Sequence, residues 1–377
     1  MKQERGLPQK LFVCCFGEPK QHYCWGHIVT DLSGRGRLLD SIDTYEYQTT
    51  PWLRVAHAIV QRISKRIYAG AHFDFKGSLQ RRLRAYNSYQ RTTDAGARAV
   101  LHITTLDMPV RAVPGVDHYL LIDSTWHSWS KYISKAGYSD KLWLDIEVLD
   151  RKSFEQAKHI FTLGEHVCDD LVGHYGIPRQ KCTAIGSGPG ALTPYFGPKD
   201  YSARSLLFVA KTRFESKGGF LVLEAFKLLV AQDATVHLTI VGSDEAARAA
   251  SGIPNLTVKP FVAAAELQEL FNRASLFVLP AINEPWGMVY LEAMASRTPV
   301  VGLRRGSLPE LTLNGQLGFL IDDPDPTLLA NALASALADT TKLEAVGQAC
   351  QSHVLKNYTW KRAVDRMLAV VDESKEL

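Results

Sequence analysis

Short apolar runs alternate with helix-like stretches through the second half of the chain. The apolar runs cover residues 206–210, 236–241, 256–261, 276–280, 299–303 and 318–321. Stretches with helical spacing cover residues 219–231, 264–274, 289–296 and 326–337. Continuous apolar strands separated by amphipathic helices are typical of a parallel sheet that is covered on both faces. The pattern therefore predicts an α/β fold with a doubly wound parallel sheet.

The first half carries the same alternation less clearly. Residues 11–16, 99–104, 118–123, 159–163 and 181–185 are predicted as strands. Val55, Ile59, Ile63 and Ile67 recur at intervals of four, which predicts a helix over residues 52–68. A run rich in Gly and Pro, from residue 186 to residue 198, is typical of a linker. We therefore predict a first domain over residues 1–197 and a second over 198–357, with a final helix of 358–377 packing back on the first.

Composition narrows the class of protein. No stretch approaches the roughly 20 apolar residues that a membrane span needs, and residues 1–16 do not resemble a signal peptide. The six cysteines form no C-x-x-C pair and show no metal-ligand spacing, so we expect them to act as small apolar residues in a reducing compartment. These features predict a cytoplasmic protein, with peripheral contact at the inner face of a membrane as a further expectation.

Basic residues concentrate between Arg54 and Arg98. This segment also contains Arg62, Lys65, Arg66, Lys76, Arg81, Arg82, Arg84 and Arg91, against only Asp74 and Asp94. One interpretation is a solvated helix face, and the other is a docking surface for anionic membrane or a phosphorylated acceptor. A nucleic-acid partner is not expected, because the net charge of +4 is modest and no recognised binding module accompanies it.

Candidate chemistry follows three predicted strands of the second half. Lys211, Arg213 and Lys217 come after the first, ahead of a helix opened by two glycines, and such a site suits a diphosphate. Glu284 and Glu292 follow the fourth strand, one in the loop and one inside the next helix. A third loop, residues 306–310, follows the fifth strand. The carboxyl ends of parallel strands share one edge of the sheet, where ligands of open α/β sheets bind.

These motifs together resemble the donor-binding domain of the retaining glycosyltransferases of family 4. Glu284 and Glu292 match the E-x7-E motif of that family, continued by Leu291-Glu292-Ala293-Met294-Ala295. Residues 208–218 match its strand and basic loop, and residues 306–311 and 314–320 match its Gly/Pro-Glu loop. Residues 161–165 and 175–178 resemble the end of its first domain. The resemblance implies the GT-B fold, in which two Rossmann-like, doubly wound parallel-sheet domains face each other across a cleft.

The resemblance also implies roles for individual residues of the second half. Arg213 and Lys217 would hold the donor diphosphate, although the basic loop is one residue longer than usual and Lys211 is an alternative to Arg213. Glu284 would contact the transferred sugar, and Glu292 would bind the ribose. The remaining donor-site residues would be Gly287, Met288 and Val289, at the start of the helix, and Phe261 and Val262, beside the base. Neither a metal nor a cofactor is expected.

In the first half, the resemblance points to fewer residues. The family has a glycine-containing loop after its first strand, for which Gly17 and Gly26 are the candidates in a sequence that departs from the common versions. His127 follows a predicted strand, and family members often place a histidine there, close to the reacting centre. A solvated loop histidine is the alternative for His127. Asp123, at the end of the same strand, is either an acceptor-side residue or a cap of the next segment.

The function implied is transfer of a hexosyl group from a nucleotide-diphosphate sugar to an acceptor hydroxyl, with retention of configuration. The donor would be a UDP-, GDP- or ADP-sugar, and the acceptor a glycan, a lipid-linked molecule or another hydroxyl compound, in the synthesis of glycans, glycolipids or cell-envelope polysaccharide. Two alternatives stay open. One is an epimerase or hydrolase that acts on the nucleotide sugar alone, and the other is a non-catalytic GT-B binding subunit.

Overall fold

The chain divides into two compact units in the computed structural model. The first comprises Met1–Gly186 with Trp360–Leu377, and the second comprises Ser187–Thr359. The structure describes residues 8–19, 24–44, 51–70, 73–109, 113–133, 135–242 and 244–373. Within these ranges, no helix is both long enough and apolar enough to cross a membrane.

The first unit is built on a parallel sheet of six strands in the order β2-β1-β3-β4-β5-β6. The strands are β1 (Leu11–Cys15), β2 (Leu38–Asp43), β3 (Ala99–Ile103), β4 (Asp117–Ile122), β5 (His159–Thr162) and β6 (Cys182–Ala184). The helices are α1 (Trp25–Gly34), α2 (Pro51–Ile67), α3 (Ser78–Asp94), α4 (Trp126–Ser130), α5 (Asp140–Gln156) and α6 (Glu165–Gly173). Every residue of β1 and β3 is buried, and so is every residue of β4 after the first, as expected for strands covered on both faces.

The second unit has the same architecture, with strand order β12-β11-β10-β7-β8-β9. Its strands are β7 (Ser205–Ala210), β8 (His237–Gly242), β9 (Leu256–Lys259), β10 (Leu276–Val278), β11 (Val300–Leu303) and β12 (Gly318–Ile321). Its helices are α7 (Gly219–Gln232), α8 (Asp244–Ala249), α9 (Ala264–Arg273), α10 (Met288–Ala295), α11 (Leu308–Leu311), α12 (Pro326–Leu337) and α13 (Thr340–Asn357). The predicted fold class, two Rossmann-like units with parallel sheets, is confirmed.

The second unit begins earlier than the sequence predicts, at Ser187 rather than at residue 198. Two hydrogen bonds explain the difference. The Trp286 ring N–H donates to Ser187 Oγ at 2.7 Å, and the Ala191 N–H donates to Glu292 Oε1 at 2.9 Å. Residues between 187 and 197 are thus held by the second unit, although their Gly and Pro content is typical of a linker.

The last helix, α14 (Trp360–Glu373), belongs to the first unit. It packs on α1, where the Trp360 ring stacks on His27 with centroids 5.0 Å apart. Arg37 forms an ion pair with Asp372 at 2.7 Å, and Arg35 pairs with Asp365. The chain therefore returns to its first unit after residue 359.

Candidate active site

The candidate site lies at the carboxyl edge of the second sheet, where the loops after β7, β10 and β11 meet. The loop after β7 is tied to the loop after β10 by the Ile282 N–H, which donates to Ser216 O at 2.9 Å. This link is a consequence of topology, because β7 and β10 are neighbours in the sheet although some 70 residues of chain separate them. The bases after β7 are therefore brought to the acids after β10.

Lys217 and Glu284 meet at this junction as an ion pair, with both side chains mostly buried. Burial and the neighbouring Arg213 lower the pKa of Lys217 to about 7, whereas contact with the Glu284 carboxylate favours the charged amine. The sequence predicted a phosphate contact for Lys217 and a sugar contact for Glu284. The structure brings the two side chains together, and their ligand contacts stay predictions.

A glycine precedes each of the two helices, α7 and α10, that begin next to Lys217 and Glu284. Gly218, before α7, has φ +82°, and a Cβ there would lie 2.3 Å from Pro280 O. Gly287, before α10, has φ +70°, and a Cβ there would lie 2.6 Å from the Tyr290 ring and 2.9 Å from Glu284 Cγ. Only glycine fits such positions without strain. The N–H groups of a helix N-terminus suit an anion, and those of Met288 and Val289 open α10. At the start of α7, the Gly218 and Gly219 N–H groups donate to Glu215 O and Phe214 O.

The loop after β11 holds the Glu284 segment from its other side. Gly306 has φ +55°, and a Cβ there would lie 2.6 Å from Glu284 O. The Ser307 hydroxyl donates to Trp286 O. The Trp286 ring in turn donates to Ser187, as described above. These positioning contacts could not be predicted from the sequence, because nothing in the order of residues pairs Ser187 with Trp286.

Glu292 is buried in α10 and contacts the backbone of residues 190–192, near the start of the second unit. Its Oε1 accepts the Ala191 N–H at 2.9 Å, and a Cβ at Gly190 would lie 2.5 Å from the same oxygen. Burial raises the pKa of Glu292 to about 7, against the lowering effect of the backbone N–H groups of residues 190–192. The carboxylate thus holds the protein backbone together, a role that the sequence did not indicate. Its predicted contact with a ribose stays a prediction.

The predicted base-binding residues differ in exposure. Phe261 is 65 % exposed, and Lys211 Nζ lies 4.4 Å from the centroid of its ring. Val262 is buried. Lys211 therefore covers an aromatic face, whereas Arg213 is the basic residue close enough to Lys217 to lower its pKa. This arrangement favours Arg213 over Lys211 as the residue that would hold the diphosphate together with Lys217. The Phe261 ring is still largely exposed, and a base can stack on it.

In the first unit, His127 lies on the short helix α4 at the carboxyl end of β4, with Thr125 as the helix cap. Its Nδ1–H donates a hydrogen bond to Asp170 Oδ1 at 2.7 Å. Nε2 is the ring nitrogen that does not contact this carboxylate. The ring stacks on His174 with centroids 3.5 Å apart. The Tyr175 hydroxyl accepts the His127 N–H at 3.2 Å. His127 is therefore an oriented histidine and not the solvated loop residue of the alternative.

Asp123 and Gly17 lie at the same edge of the first sheet. Burial raises the pKa of Asp123, while Lys76 opposes this effect. The Lys76 amine is enclosed by aromatic rings, 5.2 Å from the centroids of Trp126 and Trp129. Asp123 does not cap the next helix, since Thr125 does so. The Gly17 N–H, at φ +94°, donates to the carboxylate of Asp43 at 2.9 Å.

A buried polar group that the sequence did not reveal lies on the paired strands β1 and β3 and in the loop after β3. Cys14, His102 and Asp107 place donor atoms within 4.8 Å of one another, close enough for a metal ion. However, His102 Nδ1 is 2.8 Å from Asp107 Oδ2, and its Nε2 is 2.9 Å from His118 Nδ1. Both ring nitrogens are thus engaged in hydrogen bonds, and burial lowers the pKa of His118 to about 3. Among the described residues, Asp107 Oδ1 and His118 Nε2 of this group are buried without a hydrogen-bond partner. The expectation of a metal-free protein stays a prediction.

Comparison with known families finds a match in the second unit. Residues 198–353 match the family model for glycosyl transferases group 1. The matched segment lies within the second unit, and this part of the chain is similar to the domain of that family. The segment includes the loops after β7, β10 and β11, and therefore the Lys217–Glu284 pair. Apart from α14, which follows it in the chain, the first unit precedes the matched segment.

Several curated proteins that the chain is similar to are named D-inositol 3-phosphate glycosyltransferase. The protein of Paenarthrobacter aurescens (strain TC1) is 29 % identical over 214 residues, which are 52 % of this chain and 52 % of the relative. The protein of Corynebacterium diphtheriae is 36 % identical over 112 residues, which are 30 % of this chain and 26 % of the relative. The chain therefore spans about half, or less, of the length of the curated relatives that it matches.

Solved structures resemble the whole chain more fully but at low identity. A sucrose-phosphate synthase from Thermosynechococcus elongatus has a TM-score of 0.72 at 15 % identity, covering 98 % of this chain and 99 % of that protein. WaaG, a glycosyltransferase involved in lipopolysaccharide biosynthesis, has a TM-score of 0.67 at 15 % identity, covering 96 % and 99 %. Likeness at this identity shows the fold, which is GT-B, and leaves the chemistry to the site.

Proposed function

We propose that the protein is a glycosyltransferase that moves a hexosyl group from a nucleotide-diphosphate sugar to an acceptor hydroxyl. The observation that carries the proposal is the Lys217–Glu284 ion pair, placed between two helix N-termini that glycines open, inside the segment that matches the group 1 family model. A mostly buried cation, an acid and two helix N-termini at one sheet edge suit a ligand that joins a diphosphate to a sugar.

The proposed roles follow from charge. As the bond between the sugar and the diphosphate breaks, negative charge grows on the leaving phosphate, and fixed positive groups stabilise it. Lys217, Arg213 and the N-termini of α7 and α10 would supply that positive charge. A bound diphosphate would compete with Glu284 for Lys217, which would free the Glu284 carboxylate for hydroxyls of the transferred sugar. These groups would do the work without a metal or cofactor.

Retention of configuration is part of the proposal and comes from the resemblance to family 4. The new bond from the acceptor oxygen to the anomeric carbon would form on the face that the diphosphate leaves. The acceptor proton would pass to an oxygen of the leaving phosphate, so that no covalent carboxylate intermediate is formed. Glu284 would then act by positioning the sugar and not as a nucleophile.

The acceptor is proposed more broadly, as a glycan, a lipid-linked molecule or another hydroxyl compound of cell-envelope glycan or glycolipid synthesis. His127 would be a catalytic residue, and Gly17 and Asp123 would be acceptor-side residues. The name of the curated relatives makes D-inositol 3-phosphate the first acceptor to test.

The test is donor consumption, with and without an acceptor, by wild type and Glu284→Ala. UDP-, GDP- and ADP-hexoses are each incubated with D-inositol 3-phosphate and with a mixture of glycan acceptors. The control is Glu224→Ala, which removes a well-exposed acid of α7. We expect acceptor-dependent release of one nucleoside diphosphate, lost in Glu284→Ala and kept in the control.

Other outcomes of this test would replace the proposal. Equal donor consumption without an acceptor would favour an epimerase or hydrolase. Tight donor binding without turnover under any condition would favour the binding subunit. Full activity of Glu284→Ala would show that the site is elsewhere.

A further inference from the structure

Helix α2 turns its apolar side outward. Its large apolar residues recur at spacings of three and four, which for most helices marks the side that faces the core. Here they are between 41 % and 61 % exposed: Trp52, Val55, Ile59, Ile63 and Ile67. The side that packs on the first unit is a different one, with Leu53 and Ser64 buried. The stripe therefore contributes little to the core of the unit.

Exposure of a contiguous apolar stripe to water is unfavourable, and burial of the stripe against a partner removes this cost. Isolated exposed apolar residues are ordinary, but a contiguous row on one helix marks an interaction surface. Tyr86 and Tyr89 of α3 extend the surface, since both are more than 40 % exposed and the Tyr86 ring lies 5.8 Å from that of Trp52. Trp and Tyr rings of this type are typical of the boundary between membrane and water.

The basic residues of α2 indicate that the partner of the apolar stripe is negatively charged. Residues 51–67 contain Arg54, Arg62, Lys65 and Arg66 and no acidic residue, and all four bases are exposed. On a helix, Arg62 and Arg66 fall beside the apolar stripe, where long basic side chains can reach outward to phosphate groups. An apolar stripe bordered by bases fits an anionic lipid surface, in which acyl chains lie directly beneath charged head groups.

Two other occupants fit less well. A free phosphorylated acceptor would use the bases and leave the apolar stripe in water. A second copy of the chain, docked through the same face about a twofold axis, would set the bases of one helix against those of the other, and like charges across an interface destabilise it.

We propose that the first unit docks on an anionic lipid bilayer through α2, which lies in the plane of the surface and inserts Trp52, Ile59 and Ile63 among the lipids. The inference does not depend on the proposed transfer activity. The basic segment by itself would indicate docking by charge alone. Insertion of apolar side chains of α2 predicts in addition that part of the vesicle binding survives high salt.

The experiment is co-sedimentation of the full chain with two kinds of vesicle, phosphatidylcholine alone and phosphatidylcholine with an equal amount of phosphatidylglycerol. Wild type should bind the mixed vesicles more than thirtyfold more tightly than the neutral ones. Ile59→Ser/Ile63→Ser should lose at least tenfold of this affinity at low salt, as fewer apolar groups insert. Arg62→Gln/Arg66→Gln should lose roughly thirtyfold, because each base near an anionic surface contributes about 1 kcal/mol.

Matched controls come from the second unit. Leu328→Ser removes an exposed apolar side chain from α12, and Lys227→Gln removes an exposed base from α7. Both should bind vesicles as wild type does. The altered residues of α2 are all exposed, so circular dichroism should show an unchanged thermal midpoint for every variant. Trp52→Phe should abolish most of the blue shift in tryptophan emission on addition of mixed vesicles.

Three results would overturn the proposal. The first is absence of binding to the mixed vesicles by wild type. The second is wild-type binding by Ile59→Ser/Ile63→Ser, which would mean attraction by charge without insertion. The third is a dimer in sedimentation analysis that dissociates in Ile59→Ser/Ile63→Ser, which would identify α2 as a contact between copies.

Discussion

The buried carboxylate of Glu292 makes the stability of the protein depend on pH in a way that can be calculated. Burial raises the pKa of Glu292 from 4.5 to about 7 in the folded state. Between these two values, the folded chain keeps a proton that the unfolded chain releases, so stability falls as pH rises. The stabilising effect of the protonated form is fully present below pH 4.5 and is lost once the pH has passed 7.

The size of the effect follows from the shift. Each pKa unit corresponds to about 1.36 kcal/mol, so the shift from 4.5 to about 7 corresponds to a loss of about 3 kcal/mol in the free energy of unfolding. Glu292→Gln keeps an acceptor for the Ala191 N–H but cannot ionise. The stability of Glu292→Gln relative to wild type should therefore rise by about 3 kcal/mol across this range. For a unit of this size, that corresponds to a relative shift in thermal midpoint of roughly 6 to 12 °C.

The assay is scanning calorimetry of both proteins at a series of pH values from 4.5 to 8, comparing the transition of the second unit. Taking the difference between variant and wild type removes the pH dependence that all other groups contribute. The control is Glu224→Gln, which removes an exposed carboxylate of α7 and should give a profile parallel to wild type. Parallel profiles for Glu292→Gln and wild type would refute the reasoning, because the carboxylate would then be ionised as easily in the folded state as in the unfolded one.

Two further substitutions test the site. Gly218→Ala should weaken binding of the nucleoside diphosphate at least tenfold in a calorimetric titration, because φ at this position is +82° and a Cβ would meet Pro280 O at 2.3 Å; unchanged binding would show that α7 does not contact the ligand. Asp170→Asn should lower kcat at least tenfold while donor affinity stays as in wild type, because the Nδ1 proton of His127 would lose its carboxylate acceptor. An unchanged kcat in Asp170→Asn would show that the Asp170 carboxylate does not assist the reaction through His127.

Much of the second unit could be predicted from the sequence because its strands are buried on both faces. Such strands are continuous apolar runs, and the helices between them have clear amphipathic spacing, so β7 to β12 were found with small errors at their ends. The meeting of Lys217 and Glu284 could be anticipated for a physical reason as well. In a parallel sheet, the ends of all strands lie at one edge, and residues far apart in sequence are brought there together.

The first unit was harder to predict because several of its elements do not follow the usual pattern. β2 is an edge strand in which only Ile42 is fully buried, and it was missed. α3 was missed because its buried side includes Gln80, Arg81, Arg84, Asn87 and Ser88. Arg81 is held there by Asp150 at 2.7 Å, a pairing between residues far apart in the chain. Polar residues at core positions give no apolar period from which a helix can be recognised.

The orientation of α2 could not be predicted for a related reason. Periodicity shows that a helix has an apolar side, but not whether the core or another surface covers that side. The same limit applies to Glu292, whose partners are backbone groups of residues 190–192. It also applies to Cys14, His102 and Asp107, which are brought together by the pairing of β1 with β3 and by the loop that follows.

The central claim is that Lys217 and Glu284 form the centre of a diphosphate-sugar site. The most direct test is calorimetric titration of UDP, GDP and ADP into wild type and Lys217→Ala in buffer with a metal chelator, with Lys227→Ala as the matched control. One nucleotide should bind wild type and the control equally. It should bind Lys217→Ala at least tenfold more weakly, since a charge-assisted hydrogen bond contributes about 1.5–3 kcal/mol. Equal affinity for Lys217→Ala, or no binding of any nucleotide to wild type, would contradict the account.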